Sequence, residues 1–398
     1  MAAGHGGAMS FAGKAAIVGI GATEFSKASG RSELQLAVEA VKAALDDAGI
    51  APAEVDGLVT FDIDTNPETE IARNLGMGEV AFLARAGYGG GGACAPIQHA
   101  ALAIAGGVAR VVVCYRAFNE RSGRRFGAGY VAQPDPHPSA AQVQRGWSIP
   151  FGLTTPAGAV ALFARRYMHE YGATSEDFGR VAVAARANAA TNPKAWFHGR
   201  PISLEDHQAS PWIVEPLRLL DCCQESDGGV ALVIVGLDAA RDRPHRPAVI
   251  RGAAQGFSDD QESMSSFYRP SISGLPELGL VARQLWAQAR CGPADIDTAI
   301  LYDHFTPFVL PQLEEFGFCA RGEARHFIAD GRIALDGSLP INPHGGLIGE
   351  AYIHGLNGVA EAVRQVRGTA VNQVRGAAHV LVTGGTGVPT SGLILGAP

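Results

Sequence analysis

The sequence describes an α/β protein built from two similar halves around a long insertion, and three observations carry that reading. The first is a repeat: AGIAPAEVDGLVTFD at residues 48–62 aligns without a gap on ARCGPADIDTAILYD at residues 289–303. Each copy follows an amphipathic helix, carries Pro-Ala-acid-apolar-Asp and ends in an apolar strand. The second is a fainter repeat, in which a helix, Gly107 and ARVVVC stand beside a helix, Gly376 and AAHVLV. The third is a change of composition between the halves, over residues 119–211. Two copies this far apart point to duplicated halves rather than a solenoid.

In chain order, Ala15 to Ile20 reads as a buried strand turned by Gly21. The Gly-Ile-Gly there lacks the glycine spacing and ribose-binding acid of a dinucleotide loop. Ser32 is placed to cap a helix with Leu34, Leu36, Ala37, Val41 and Leu45 on its apolar face. Gly49 and Pro52 then turn the chain into the strand Gly57 to Phe61. These elements open a first half over residues 14–118, completed by 212–240, where DCCQESDGGVALVIV returns as a turn and a buried strand. The insertion, 119–211, holds the arginine cluster NERSGRRFG, the Pro-rich QPDPHP and a helical stretch from Ala157 to Tyr171. A Pro/Arg linker leads to the second half, 245–398.

Bulk properties exclude several classes. Of 398 residues, 47% are hydrophobic and 18% charged, ordinary for a soluble globular chain. A formal charge of −7 gives no electrostatic footprint for nucleic acid. Six cysteines without a CxxC pair argue against a zinc ribbon or disulfide framework and fit a reducing cytoplasm. Scattered histidines show no metal-ligand spacing, so no metal is expected. No apolar run reaches membrane-spanning length, and the first 14 residues read as a loose leader without a signal-peptide core.

Chemistry concentrates in INPHGGLIGEAYIHGLNG, residues 341–358. Its glycines suit a loop that bends sharply and approaches a ligand closely, or a tight connection between core elements. The segment resembles the thiolase signature Asn-x-x-Gly-Gly-(x)5-His-Pro-x-Gly-x-x-Gly, with Asn342, Gly345, Gly346, Gly355 and Gly358 in register. Tyr352 stands at the position of the catalytic histidine, and Ile353 at the proline. The resemblance implies a thiolase fold, with two mixed sheets and helices in five layers (αβαβα), the insertion covering an acyl-CoA.

The other thiolase motifs are changed as well. A thiolase holds a nucleophilic cysteine at a helix N-terminus, where backbone N–H groups favour the thiolate. Counting back from Gly106 and Gly107, that position is Gly90 in GYGGGGACAPIQHAALAIAGG. Cys94 lies four residues on, about 6 Å of helical rise away, and reads as a small buried hydrophobe. The second cysteine position is Leu381 in LVTGGTG, and the Asn-Glu-Ala-Phe or His-Asp-Cys-Phe motif is replaced by Tyr302, Asp303, His304 and Phe305. Without nucleophile and base, transfer through an acyl-enzyme is not expected.

Two of the replacements are tyrosines, and the resemblance brings Tyr302 and Tyr352 face to face where a thioester enolate forms. A phenol donates or accepts a proton, and its reference pKa near 10 lies closer to an alcohol or enolate than a carboxylate's does. Neighbouring charge, from His304 or Glu350, is expected to bias the two phenols differently. Backbone N–H groups near Gly90 and Thr383 are expected to keep an oxyanion hole, where one donor contributes about 3 kcal/mol. Such a pocket suits retro-aldol cleavage, with Tyr302 as base on a β-hydroxyl and Tyr352 as acid to the enolate, or the reverse. Arg121, Arg124 and Arg125 suit CoA phosphates or a solvated or dimer-interface cluster. His304 is a candidate catalytic residue or a structural one, Asp303 is suited either to substrate or to holding the loop, and His344 and His354 read as structural.

The full-length pattern, including YRAFNERSGRRFG, NPKAWFHGRPISLEDHQAS, PLRLLDCCQESDGG and YDHFTPF, resembles the actinobacterial lipid-transfer-protein-like thiolase homologues of steroid side-chain degradation. That resemblance implies cleavage of a β-hydroxyacyl-CoA such as 17-hydroxy-3-oxo-4-pregnene-20-carboxyl-CoA to a 17-keto steroid and propionyl-CoA. It implies no cofactor beyond the CoA of the substrate, a homodimer, and a small hydratase-associated OB-fold partner protein. A non-catalytic acyl-CoA or lipid carrier is the alternative. A thiolase using Cys94, sensitive to thiol alkylation, is a third.

Overall fold

The computed structural model describes residues 11–129, 136–137, 139–386, 388 and 390–398. Most of the leader, most of QPDPHP and Gly387 of the C-terminal glycine turn lie outside these residues. The first half runs β1 (Ala15–Ala22), α1 (Glu33–Ala48), β2 (Gly57–Phe61), α2 (Glu68–Leu75), β3 (Phe82–Ala86), α3 (Ala95–Ala105) and β4 (Val111–Asn119). Next come α4 (Ala140–Ser148), α5 (Pro156–Tyr171), α6 (Ser175–Thr191), α7 (Leu204–Ala209) and a hairpin of β5 (Trp212–Val214) and β6 (Leu217–Arg218). The chain continues through β7 (Asp227–Gly236), α8 (Leu237–Ala240), β8 (Ala248–Gly256), α9 (Pro276–Ala289), β9 (Thr298–Ile300), α10 (Val309–Glu315) and α11 (Ala324–Ala329). It ends with α12 (Gly346–Gly349), α13 (Leu356–Arg367), β10 (His379–Gly384) and β11 (Thr390–Gly396).

The strands lie in the order β3-β2-β4-β7-β1-β8-β11-β10-β9. In the first half β2 pairs parallel with β4, β4 antiparallel with β7, and β7 antiparallel with β1. In the second half β9 pairs parallel with β10, β10 antiparallel with β11, and β11 antiparallel with β8. The same sequence of pairings occurs twice, so the repeats of the sequence are structural repeats, with β2 matching β9 and β4 matching β10. The halves join at a short contact, Ala16 opposite Val249 and Ile17 opposite Ala248.

Helices α3 and α13 each touch strands of both halves, whereas α1 packs on β1, β4 and β7 and α9 on β8 and β11. That gives five layers, with α3 and α13 buried in the middle. Strands β4 and β7 are buried along nearly their whole length, as expected of strands covered on both faces. Ser32 caps α1 by accepting the Gln35 N–H at 3.1 Å. The Gly-Ile-Gly of β1 serves packing: a Cβ on Gly19 or Gly21 would lie 2.2 Å from a backbone oxygen of α1.

The second repeat departs from the first at one place. Strand β9 ends at Ile300, whereas β2 runs on to Phe61. Beyond Ile300 side chains replace the ladder: Leu301 N–H donates to Asn342 Oδ1 at 2.8 Å and Tyr302 N–H to Thr383 Oγ1 at 2.9 Å. The chain leaves the sheet there, and its next residues form the site.

Candidate active site

Tyr302 is fixed from its backbone outward. Thr383 Oγ1, which accepts its N–H, donates to Gln312 Oε1 at 2.6 Å, and Gln312 Nε2 donates to the Tyr302 carbonyl at 2.9 Å. Asn342 Nδ2 adds a bond to the Leu301 carbonyl at 3.0 Å. The ring is buried, 3% exposed, against Ala93 and Leu347. Its hydroxyl points at Gly90: a Cβ there would lie 1.7 Å from the Tyr302 oxygen. The phenol therefore occupies the space that a side chain at position 90 would need.

Tyr352 approaches from the glycine-rich segment. Its N–H donates to Ser226 Oγ at 3.1 Å, and its half-buried ring meets that of Tyr302 at a centroid distance of 6.3 Å and 73°. The Tyr302 hydroxyl donates to the Tyr352 oxygen at 3.0 Å. Burial pushes both phenols well above their ordinary pKa. Desolvation, rather than the charge expected from His304 or Glu350, is the main cause in both, and the resting pair is neutral.

The remaining predicted residues divide. Asp303 is fully buried and holds the loop, its Oδ1 accepting the Leu347 N–H at 2.7 Å. A Cβ on Gly346, where φ is +67°, would come within 2.0 Å of its Oδ2, so both backbone and space demand glycine. His304 stacks on Phe308 at 5.3 Å and tilts against Tyr302 at 4.9 Å; burial lowers its pKa to about 3. Arg125 pairs with Glu225 at 2.6 Å, while Arg121 and Arg124 are exposed. His354 accepts from Arg116 Nε at 3.1 Å and stacks on Phe118, a structural arrangement. Glu350 and His344 line a cavity of about 60 Å³ with Asn192 and Arg364. Cys94 is fully buried, and desolvation pushes its thiol up to about 12. Among the described residues no cluster of three or more His, Cys, Asp or Glu side chains could hold a metal ion.

The sequence reading passed over Glu120 and Cys223. Cys223 packs with the two tyrosines. Glu120, between Asn119 and Arg121, is 3% exposed and its Oε2 has no hydrogen-bond partner. The stretch was read for its arginines; only the fold brings this acid near Tyr302, Tyr352 and Cys223, whose loss of a proton its ionised form would oppose.

A family model described as thiolase C-terminal domain-like matches residues 260–397, and the chain belongs to the thiolase superfamily. Within it, the chain is similar to proteins that cleave carbon–carbon bonds. The steroid side-chain-cleaving aldolase of Thermomonospora curvata is 67% identical, over 97% of this chain and 98% of that protein. The 17-hydroxy-3-oxo-4-pregnene-20-carboxyl-CoA lyase of Mycobacterium tuberculosis is 64% identical, over 96% of this chain and 99% of that protein. A solved Ltp2-ChsH2(DUF35) aldolase superposes with a TM-score of 0.93 at 66% identity, covering 97% of this chain and 98% of that one.

Proposed function

We propose that this chain is a carbon–carbon lyase that cleaves a β-hydroxyacyl-CoA steroid side chain by a retro-aldol reaction. Its substrate is 17-hydroxy-3-oxo-4-pregnene-20-carboxyl-CoA or a near relative, and its products are a 17-keto steroid and propionyl-CoA. One observation carries the reading beyond the likeness to the two relatives: the Tyr302 hydroxyl fills the space of a side chain at position 90 and bonds Tyr352 at 3.0 Å. An acid–base pair stands where a thiolase nucleophile would.

Two neutral phenols in contact run the reaction as a relay. The substrate hydroxyl gives its proton to Tyr302 as Tyr302 passes its own to Tyr352 and Tyr352 protonates Cα. The electrons of the broken bond move through the thioester enolate into the new Cα–H bond, and the alkoxide becomes the ketone. Both phenols end as they began. Backbone N–H groups near Gly90 and Thr383 steady the enolate oxygen, while His304 packs the Tyr302 ring and Asp303 holds the loop. Arg121, whose charge reaches Lys27, and Arg124, both exposed, take the CoA phosphates; Arg125 joins through Glu225. No resident cofactor enters this scheme.

The assembly is a homodimer that works with a small OB-fold partner in the cytoplasm. The open edge of β3, with Leu83 exposed, supports strand-to-strand pairing. The solved aldolase, named as a complex with ChsH2(DUF35), supports the partner. Six free cysteines support a reducing compartment.

The test is a product assay with and without the partner. Propionyl-CoA released without added free CoA, and lost in Tyr302→Phe and Tyr352→Phe, is the expected result. Tight binding of the thioester with no product under either condition would make the chain a carrier.

A further inference from the structure

Glu120 sits at the end of β4, beside the phenol pair, and the relay leaves it unused. Its surroundings are a mixed set: Glu225, Lys27, Arg116, Cys223 and the two tyrosines. Strand pairing sets Asn119 opposite Asp227 and so brings Glu120 to Ser226, whose backbone N–H faces the Glu120 carboxyl and whose Oγ accepts the Tyr352 N–H. The other carboxyl oxygen, Oε2, is buried and unpartnered. A buried carboxyl oxygen without a partner at a reaction centre is a place for a ligand to bond.

Burial and the charge of Glu225 push this carboxyl up to about 8, so near neutral pH it carries a proton and acts as a donor. A carboxylic acid kept neutral in an apolar site makes a strong hydrogen-bond donor to a developing oxyanion. The other unpartnered atoms nearby serve this less well. Asp303 Oδ2 faces Gly346, His304 is stacked on Phe308, and Gln224 Oε1 only accepts.

We infer that Glu120 is a further catalytic residue, whose neutral carboxyl donates a hydrogen bond to the thioester oxygen as negative charge gathers there. This inference rests on the retro-aldol reading. It adds a side-chain donor to the backbone N–H groups of the oxyanion hole, and an alkaline limit to the reaction. Above its pKa the ionised carboxylate would repel the enolate it should stabilise.

The test is the pH profile of kcat and KM for propionyl-CoA release, from pH 6 to 10, in wild type, Glu120→Gln and Glu120→Ala. The wild type loses kcat as pH rises through about 8. Glu120→Gln keeps a neutral donor, so its kcat at pH 7 stays within about tenfold of wild type and the limb near pH 8 disappears. Glu120→Ala loses about 10²–10³-fold in kcat with little change in KM. A limb that persists in Glu120→Gln, as titration of Lys27 would produce, overturns the inference. So does a Glu120→Ala variant with more than half the wild-type kcat. Absence of product from the wild type itself would instead refute the lyase reading.

Discussion

Replacing Gly90 with alanine puts a methyl group into the space now held by the Tyr302 hydroxyl. The added carbon would lie 1.7 Å from the phenol oxygen, 2.4 Å from Cζ and 3.2 Å from Cε2. Comfortable non-bonded separations are about 3.5 Å, so the oxygen must retreat by roughly 1.8 Å. The ring has little room to do so, because it is buried against Ala93 and Leu347 and its backbone is clamped by Thr383 and Gln312. A retreat of that size breaks the 3.0 Å bond to Tyr352. Gly90 is not among the glycines with left-handed backbone, so alanine adds no φ strain and the effect is local. We expect stability to fall by about 1–3 kcal/mol and kcat by roughly 10²-fold or more, as misplacement by an ångström does elsewhere. The assay is propionyl-CoA release, with circular dichroism to confirm the fold. In the Tyr302→Phe background the added alanine should cost less, since the 1.7 Å contact with the hydroxyl is gone, but the ring carbon Cζ at 2.4 Å must still shift. A folded Gly90→Ala enzyme with more than half the wild-type kcat would refute the reasoning.

Thr383→Val removes the acceptor of the Tyr302 N–H and the donor to Gln312; it should destabilise by about 1–3 kcal/mol and lower kcat more than it raises KM, read by thermal unfolding and steady-state kinetics. Cys94→Ala should retain kcat, and native protein should resist alkylation at Cys94, because the thiol is buried and pushed up to about 12; peptide mass mapping after iodoacetamide checks this. Asp303, pushed up to about 7 by burial, stays protonated in the fold where an unfolded chain would release the proton. That contribution to stability is whole below about pH 4 and is lost as pH rises through about 7. The Tm of Asp303→Asn relative to wild type should therefore rise from pH 5 to pH 8, and a difference independent of pH would contradict the buried neutral carboxyl.

Much of this was legible in the sequence, for identifiable reasons. The halves showed themselves because Pro-Ala-acid-apolar-Asp precedes matching strands in both, and the paired strands occupy matching places in the sheet. The two tyrosines could be set opposite one another because the glycines around Tyr352 keep the spacing of a known motif. What those glycines accommodate was not legible: Gly346 makes room for Asp303, and Gly345 for Ala189 of the insertion, which lies far away in sequence. Glu120 was missed for the same reason. Its chemistry comes from burial and from residues 302, 352 and 223, and beside Arg121 it read as part of a charged surface stretch. The direction of the phenol shifts also eluded the sequence, since desolvation depends on enclosure rather than on residue type.

The central claim is that two phenols cleave a carbon–carbon bond without an acyl-enzyme, and one measurement addresses it most directly. The enzyme, with its partner, is given the β-hydroxyacyl-CoA steroid in deuterium oxide without free CoA, and products and intact protein are weighed by mass spectrometry. The account predicts propionyl-CoA carrying one deuterium at Cα, an equal amount of 17-keto steroid and protein of unchanged mass. A protein gaining the mass of an acyl group, or cleavage that starts only when free CoA is added, would contradict it.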